Sequence, residues 1–230
     1  PSLAYFFRPH GEHFMPMFKF IFFIIYNLFG TSIYPAMVLS ISVHLINSLL
    51  FYFICRLIFP QRRWIPFLAS LFFALNSTDF EVVHWFTVIN TGFCLLFLVL
   101  TLFLLHKGMI EQKKWLIVSS CIASFFIPMG FSIGLLGILF IALYQWLIMR
   151  QFSLKKFSPY IIPFVLYLIV YWFFVVKAGT VGARGFNFDI GRTLLYLSYG
   201  LAGAWTKSMG YSLATMRASM IFSILLTIQF

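Results

Sequence analysis

The sequence predicts an all-α, polytopic integral membrane protein, with about seven to eight transmembrane helices plus interfacial helices in a first outer loop. Three observations predict it. Of 230 residues, 62% are hydrophobic and 9% are charged, against about 45–50% and about 25% in a soluble domain. Four stretches, Phe20–Cys55, Val82–His106, Trp115–Met149 and Phe157–Val176, contain no Asp, Glu, Lys or Arg; a spanning helix needs about 20 mostly apolar residues. The basic residues then sort between these stretches. Arg56/Arg62/Arg63, Lys107/Lys113/Lys114 and Arg150/Lys155/Lys156 fill alternate gaps, which marks those gaps as cytoplasmic by the positive-inside rule. Four of the five acids, Glu12, Asp79, Glu81 and Asp189, lie in or flank the other gaps, and only Glu111 stands with the basic clusters. A β-barrel would show short alternating segments; these runs are continuous.

The same observations exclude several function classes. The net charge of +11 would point to nucleic acid in a soluble protein, but nine of the sixteen basic residues are topology determinants, so no nucleic-acid partner is expected and the lipid bilayer is. Cys55, Cys94 and Cys121 fall in apolar runs without CxxC pairing, which argues against a disulfide or zinc framework. No 20–50-residue repeat is present, so residues 1–230 read as one membrane domain. The chain begins with Pro1 and ends at Phe230 inside an apolar run, which reads as a piece cut at both ends.

Residues 1–30 read as a first outer loop. Pro1–Phe18 is polar and aromatic, and Met17–Phe29 is apolar but short for a span, hence an interfacial or re-entrant helix. The spanning helices occupy residues 35–176. Pro35–Phe59 runs inward, with Pro35 suited to a first helical position. Trp64–Leu75 returns outward to a turn at Asn76–Glu81, and Val82–His106 runs in. Trp115–Ile127 goes out, Pro128–Gly130 turns, and Phe131–Met149 comes back. Tyr160–Val176 exits to residues 177–217, a Gly-rich outer loop and a surface segment, and Ala218–Phe230 opens another span.

Chemistry is expected on the acidic side. Arg8-Pro9-His10-Gly11-Glu12-His13, followed by Pro16 and Lys19, is a dense polar group. A carboxylate there can take a proton from a hydroxyl, and Arg or Lys can hold a phosphate; a solvated, anchoring loop is the plainer reading. Glu81 and His84 are three residues apart, so one helical face would carry both, with Asp79 nearby. That geometry permits an acid–base pair or a divalent metal, but three residues of one segment do not define a metal site, and acids favoured at a helix start explain them as well. His44 and Asn47 lie one turn apart within a span. They, like Asn90, either bond between helices or line a groove for a lipid phosphate. Gly179–Gly185 carries Arg184 and lacks the ending of a phosphate-binding P-loop, leaving a lid over the site or an ordinary loop. Asn76-Ser77-Thr78 fits a glycosylation sequon close to the membrane.

The stretch Glu12-His13-Phe14-Met15-Pro16-Met17-Phe18-Lys19, with the aromatic segment ending in Phe29-Gly30, resembles the first-loop pattern of GT-C glycosyltransferases, in particular the protein O-mannosyltransferase-like branch (glycosyltransferase family 39-like). His44-Leu45-Ile46-Asn47 with Leu49-Leu50 is similar to the His-x-x-Asn-x-x-Leu pattern of that branch. Leu71-Phe72-Phe73-Ala74-Leu75 followed by Glu81-Val82-Val83 resembles a segment of the transmembrane and tetratricopeptide-repeat mannosyltransferases. The likeness covers about residues 5–107. Two departures stand out: Phe14-Met15 separates His13 from Pro16, and Asn76-Ser77 replaces a His-Pro.

The resemblance implies transfer of a sugar from a polyprenyl-phosphate carrier to an acceptor hydroxyl on a glycan, lipid or protein at the non-cytoplasmic face. It also implies a main catalytic Asp upstream of Pro1, with Glu12 a second acid of the loop and His13 and Arg8 helping to place acceptor or phosphate. Glu12, His13, Asp79 and Glu81 are then the catalytic candidates, and Arg8, Lys19, His84 and Arg184 the substrate or phosphate ligands. The expected setting is the bacterial inner membrane ahead of the endoplasmic reticulum. Rival readings are a transporter or flippase for lipid-linked sugars, which should show inverted repeats, and a non-catalytic membrane partner.

Overall fold

A computed structural model describes residues 3–7, 14–75 and 89–176. Among the described residues every regular element is helical. α1 is Leu3–Phe7, α2 Pro16–Phe29, α3 Tyr34–Ile58, α4 Trp64–Leu75, α5 Ile89–Ile110 and α6 Lys114–Gly130. A 3₁₀ turn, Ser132–Leu136, leads into α7, Gly137–Leu143, which ends in a π-turn, Tyr144–Ile148; α8, Leu154–Tyr171, continues into a second π-turn, Trp172–Val176. Pro1–Ala74 and Val82–Gly182 form one compact unit; of the second, Leu75–Glu81 with Ala183–Phe230, only Leu75 is among the described residues.

The protein is an all-α membrane protein whose helices expose apolar side chains and place polar ones among the apolar residues of the interior. Leu45, Val118 and Ile162 are exposed, whereas Ser40, Asn47, Thr101, Ser120 and Ser124 are buried. Lipid tails give no hydrophobic drive for helix to meet helix, so small and polar side chains take the interfaces. The buried serines bond back to their own helix, as Ser40 does to the Ala36 carbonyl at 3.1 Å and Ser124 to that of Cys121 at 2.7 Å, so their hydroxyls are not desolvated alone.

Helix direction follows from paired contacts. His44 meets Ala74 and Phe51 meets Phe73, so α3 and α4 are antiparallel. Asn47 meets Gly92 and Phe53 meets Phe103, so α3 and α5 run the same way. Phe97 stacks on Phe126 and Gly130 sits against Cys94, so α5 and α6 are antiparallel. α8 lies alongside α6 in the same sense, through Ser120–Tyr160 and the shared Ile127–Phe164 core. The three basic clusters therefore gather at one end of the bundle, here the basic end. Asn90, Gly130 and Tyr167 mark the other, the loop end. The charge alternation read from sequence is thus reproduced by the helix directions.

Three helical stretches, Tyr34–Ile58, Ile89–Ile110 and Leu154–Val175, are long and apolar enough to cross a membrane. At 25 residues α3 is about 37 Å long against a hydrocarbon core of about 30 Å. Pro16–Phe29, Trp64–Leu75, Lys114–Gly130 and Ile133–Ile148 are apolar but shorter, so the described residues supply three full-length spans of the seven to eight expected.

Some boundaries differ from expectation. Pro128 does not turn the chain; α6 continues through it to Gly130, and the break comes at Phe131, whose backbone is extended. A proline two residues from a helix end forfeits one backbone bond and little else. The chain then reverses within a few residues because Gly134 has no Cβ; one there would overlap the Ile127 carbonyl. α8 begins at Leu154, six residues before the expected Tyr160. Pro159 inside it cannot supply an N–H to the Lys155 carbonyl, and Ser158 Oγ donates to that oxygen instead at 3.1 Å. α5 runs four residues past His106; there Lys107 lies over the Phe103 ring and pairs with Glu111 at 3.8 Å.

Candidate functional site

Lys19 is the one charged candidate among the described residues. Pro16 occupies the first turn of α2, where its missing N–H costs nothing, and Lys19 lies one turn on. Its side chain is only 9% exposed. Nζ donates to the Tyr5 carbonyl at 3.3 Å and lies 5.3 Å from the centre of the Tyr5 ring. A desolvated ammonium needs such partners. Lys19 thereby ties α1 to α2, and edge-to-face contacts of Phe6 with Phe20 and Phe23 reinforce the tie.

Between α1 and α2 lies the 8–13 segment, bounded by Phe7 and Phe14. Those two rings stack with centroids 6.3 Å apart, and Phe174 stacks on both, at 5.7 and 6.2 Å. Phe14 is fully buried with Tyr167 and Val175, and the Tyr167 hydroxyl donates to the Phe14 carbonyl at 3.1 Å. Met15 is buried too, and Asn90 Nδ2 approaches its sulfur at 3.0 Å. Gly130 completes the packing, since a Cβ there would fall 2.8 Å from Cys94 Sγ and 2.9 Å from the Asn90 carbonyl. Residues 14–15, the start of α5 and the end of α8 therefore converge. These are the described residues next to three segments that carry candidates: 8–13, 76–88 and the stretch after Val176.

His44 and Asn47 each bond between helices. His44 Nε2 lies 3.0 Å from the Ala74 carbonyl, so that nitrogen carries the proton, and the ring stacks on Phe73. Asn47 Nδ2 donates to the Gly92 carbonyl at 3.0 Å, while its Oδ1 is buried without a partner. His44 thus holds α4 two residues before the 76–88 segment, and Asn47 holds α5 four residues after it.

Arg8, Glu12, His13, Asp79, Glu81, His84 and Arg184 lie outside the described residues, as do the sequon at Asn76 and the loop around Gly182. Among the described residues no group of three His, Cys, Asp or Glu is arranged to hold a metal ion. Glu111, the one acid in view, belongs to the basic end. It pairs with Lys113 at 2.7 Å and Lys107 at 3.8 Å, and the hydrogen bond from Lys113 holds its carboxyl below the usual carboxylate range. Tyr167 escaped the sequence reading, because a tyrosine in an aromatic span looks like any other apolar residue. Its signal is chemical: a phenol at membrane depth needs an acceptor.

A family model described as dolichyl-phosphate-mannose-protein mannosyltransferase matches residues 9–176. Searches of curated proteins and of solved structures gave no match.

Proposed function

We propose, from the premise that this chain belongs to the dolichyl-phosphate-mannose-protein mannosyltransferase family, that it transfers a hexosyl group from its lipid carrier to an acceptor hydroxyl on the non-cytoplasmic side. Membership makes it a membrane glycosyltransferase of GT-C type that uses a polyprenyl-phosphate-linked sugar. The face, the sugar and the acceptor are the proposal's own. The observation that carries it is the extent of the match, which starts within the polar segment holding Glu12 and His13 and runs through the last described helix.

In this reading the bilayer holds the lipid carrier at the loop end of the bundle. A carboxylate draws the proton from the acceptor hydroxyl as the oxygen attacks the anomeric carbon; within this chain Glu12, with His13 beside it, is the candidate that acts with the upstream Asp the family resemblance implies. The bond from that carbon to the phosphate oxygen breaks and the lipid phosphate leaves. Charge grows on the departing phosphate, where Arg8 and Arg184 stabilise it most effectively in a site shielded from water. Lys19 places one further positive charge near the root of the first segment. Asp79 and Glu81 supply a second carboxylate source from the segment preceding α5, with His84 beside them. The packing of residues 14–15 against the start of α5 and the end of α8 supports placing the chemistry of Glu12 and His13 at the loop end.

The test is sugar transfer by the full chain, reconstituted in vesicles with a polyprenyl-phosphate sugar. Glu12→Gln should lower kcat by about 10²–10⁴, as loss of a general base does, and Asp79→Asn should lower it as well. Normal transfer by both variants would remove these residues from the site. Uptake of a lipid-linked sugar into vesicles without transfer would identify a transporter instead.

A further inference from the structure

We infer that Tyr167 is a positioning residue: its hydroxyl, bonded to the Phe14 carbonyl, fixes the backbone from which the 8–13 segment departs. This rests on the proposed reading that Glu12 and His13 belong to the site.

Phe14 lies between α1 and α2, outside either helix, and the first backbone bond of α2, from Lys19 N–H, goes to the Met15 carbonyl, not to that of Phe14. It is also fully buried. An unpaired carbonyl at such a place costs about 1–3 kcal/mol, and non-helical backbone at membrane depth survives only where protein satisfies it. Tyr167, 153 residues away in sequence, provides that partner at 3.1 Å. About two turns further, in the π-turn that continues α8, Phe174 stacks on Phe7 and Phe14 together. The end of α8 therefore grips both boundaries of a six-residue segment. Two residues before Phe14 stands the carboxylate assigned to catalysis, so little chain separates the grip from the chemistry.

α8 carries its own control. Tyr160 is two helical turns before Tyr167 and equally buried, at 1% against 0% exposure. Its hydroxyl bonds Ser120 Oγ on α6, a contact between α6 and α8 that involves neither Phe7 nor Phe14. Tyr160→Phe and Tyr167→Phe each delete one oxygen from a buried phenol and keep the ring. A merely structural role predicts the same consequences for both.

The experiment compares the two variants of the full chain in reconstituted vesicles. Tyr167→Phe should lower kcat about five- to tenfold, the equivalent of one misplaced hydrogen bond, with KM for the polyprenyl-phosphate sugar unchanged. Amide exchange across residues 11–15 should quicken in the same variant. Tyr160→Phe should lower the melting temperature as much and leave both readouts at wild-type values. Equal kcat and equal exchange in the two variants would overturn the inference. Absence of transfer in the wild-type chain would instead defeat the proposed function, and the exchange contrast would still decide whether Tyr167 holds the segment.

Discussion

At the loop end, residues 14–15 meet the start of α5 and the end of α8 through buried, largely uncharged contacts: a tyrosine hydroxyl on a carbonyl, an asparagine against a methionine sulfur, and three stacked phenylalanines. At the basic end, Arg62, Lys113 and Lys114 are exposed, and Glu111 pairs with lysines in water. Charges in water set orientation across a bilayer at little cost in rigidity. Desolvated bonds and packed rings set geometry, because moving them leaves a polar group unpaired or a void unfilled. A site that must place a carboxylate against a sugar needs the second kind of support.

Removing buried volume near the loop end should give the largest loss of stability. Ile127 is 1% exposed and packs against Gly134 and Gly137, so Ile127→Ala should cost about 2–5 kcal/mol, read from unfolding in mild detergent. A cost below that of a surface change would break the comparison. Next comes the interhelical bond: Asn47→Ala should cost about 0.6–1.7 kcal/mol in the same unfolding measurement, and a variant that melts with wild type would show that the unpartnered Oδ1 cancels the Gly92 bond.

The smallest effect belongs to the basic end. The Glu111 carboxyl is held low by Lys113, so its contribution is complete above its ordinary titration range and is lost as pH falls through its lowered value. The melting temperature should drop slightly across that acid window, and Glu111→Gln should flatten the drop. A large drop removed by this one substitution would show that the basic end sets geometry too.

The features legible in the sequence are those written in local composition. Apolar runs and alternating basic clusters mark α3, α5 and α8 and the direction of each. The patterns around Glu12, His44 and Phe73 pointed to the family that residues 9–176 match. Boundaries were less legible where a local rule met a neighbour. Pro128 reads as a turn, yet α6 carries it, and Pro159 reads as lying before a helix, yet Ser158 bonds the carbonyl it abandons. Asn90 reads from sequence as a polar residue of a span that either bonds between helices or lines a groove; that it approaches Met15, 75 residues away, is a product of packing.

Solvent preference is a property of each stretch of chain, so membrane class, helix directions and the polar segments could be read one stretch at a time. Which backbone carbonyl a buried phenol answers is a property of pairs. Tyr167 and Phe14 are 153 residues apart, and nothing in either neighbourhood names the other. Only the packing of α8 beside the start of α5 and residues 14–15 brings them within 3.1 Å, and with them the roots of the segments on which the proposed chemistry depends.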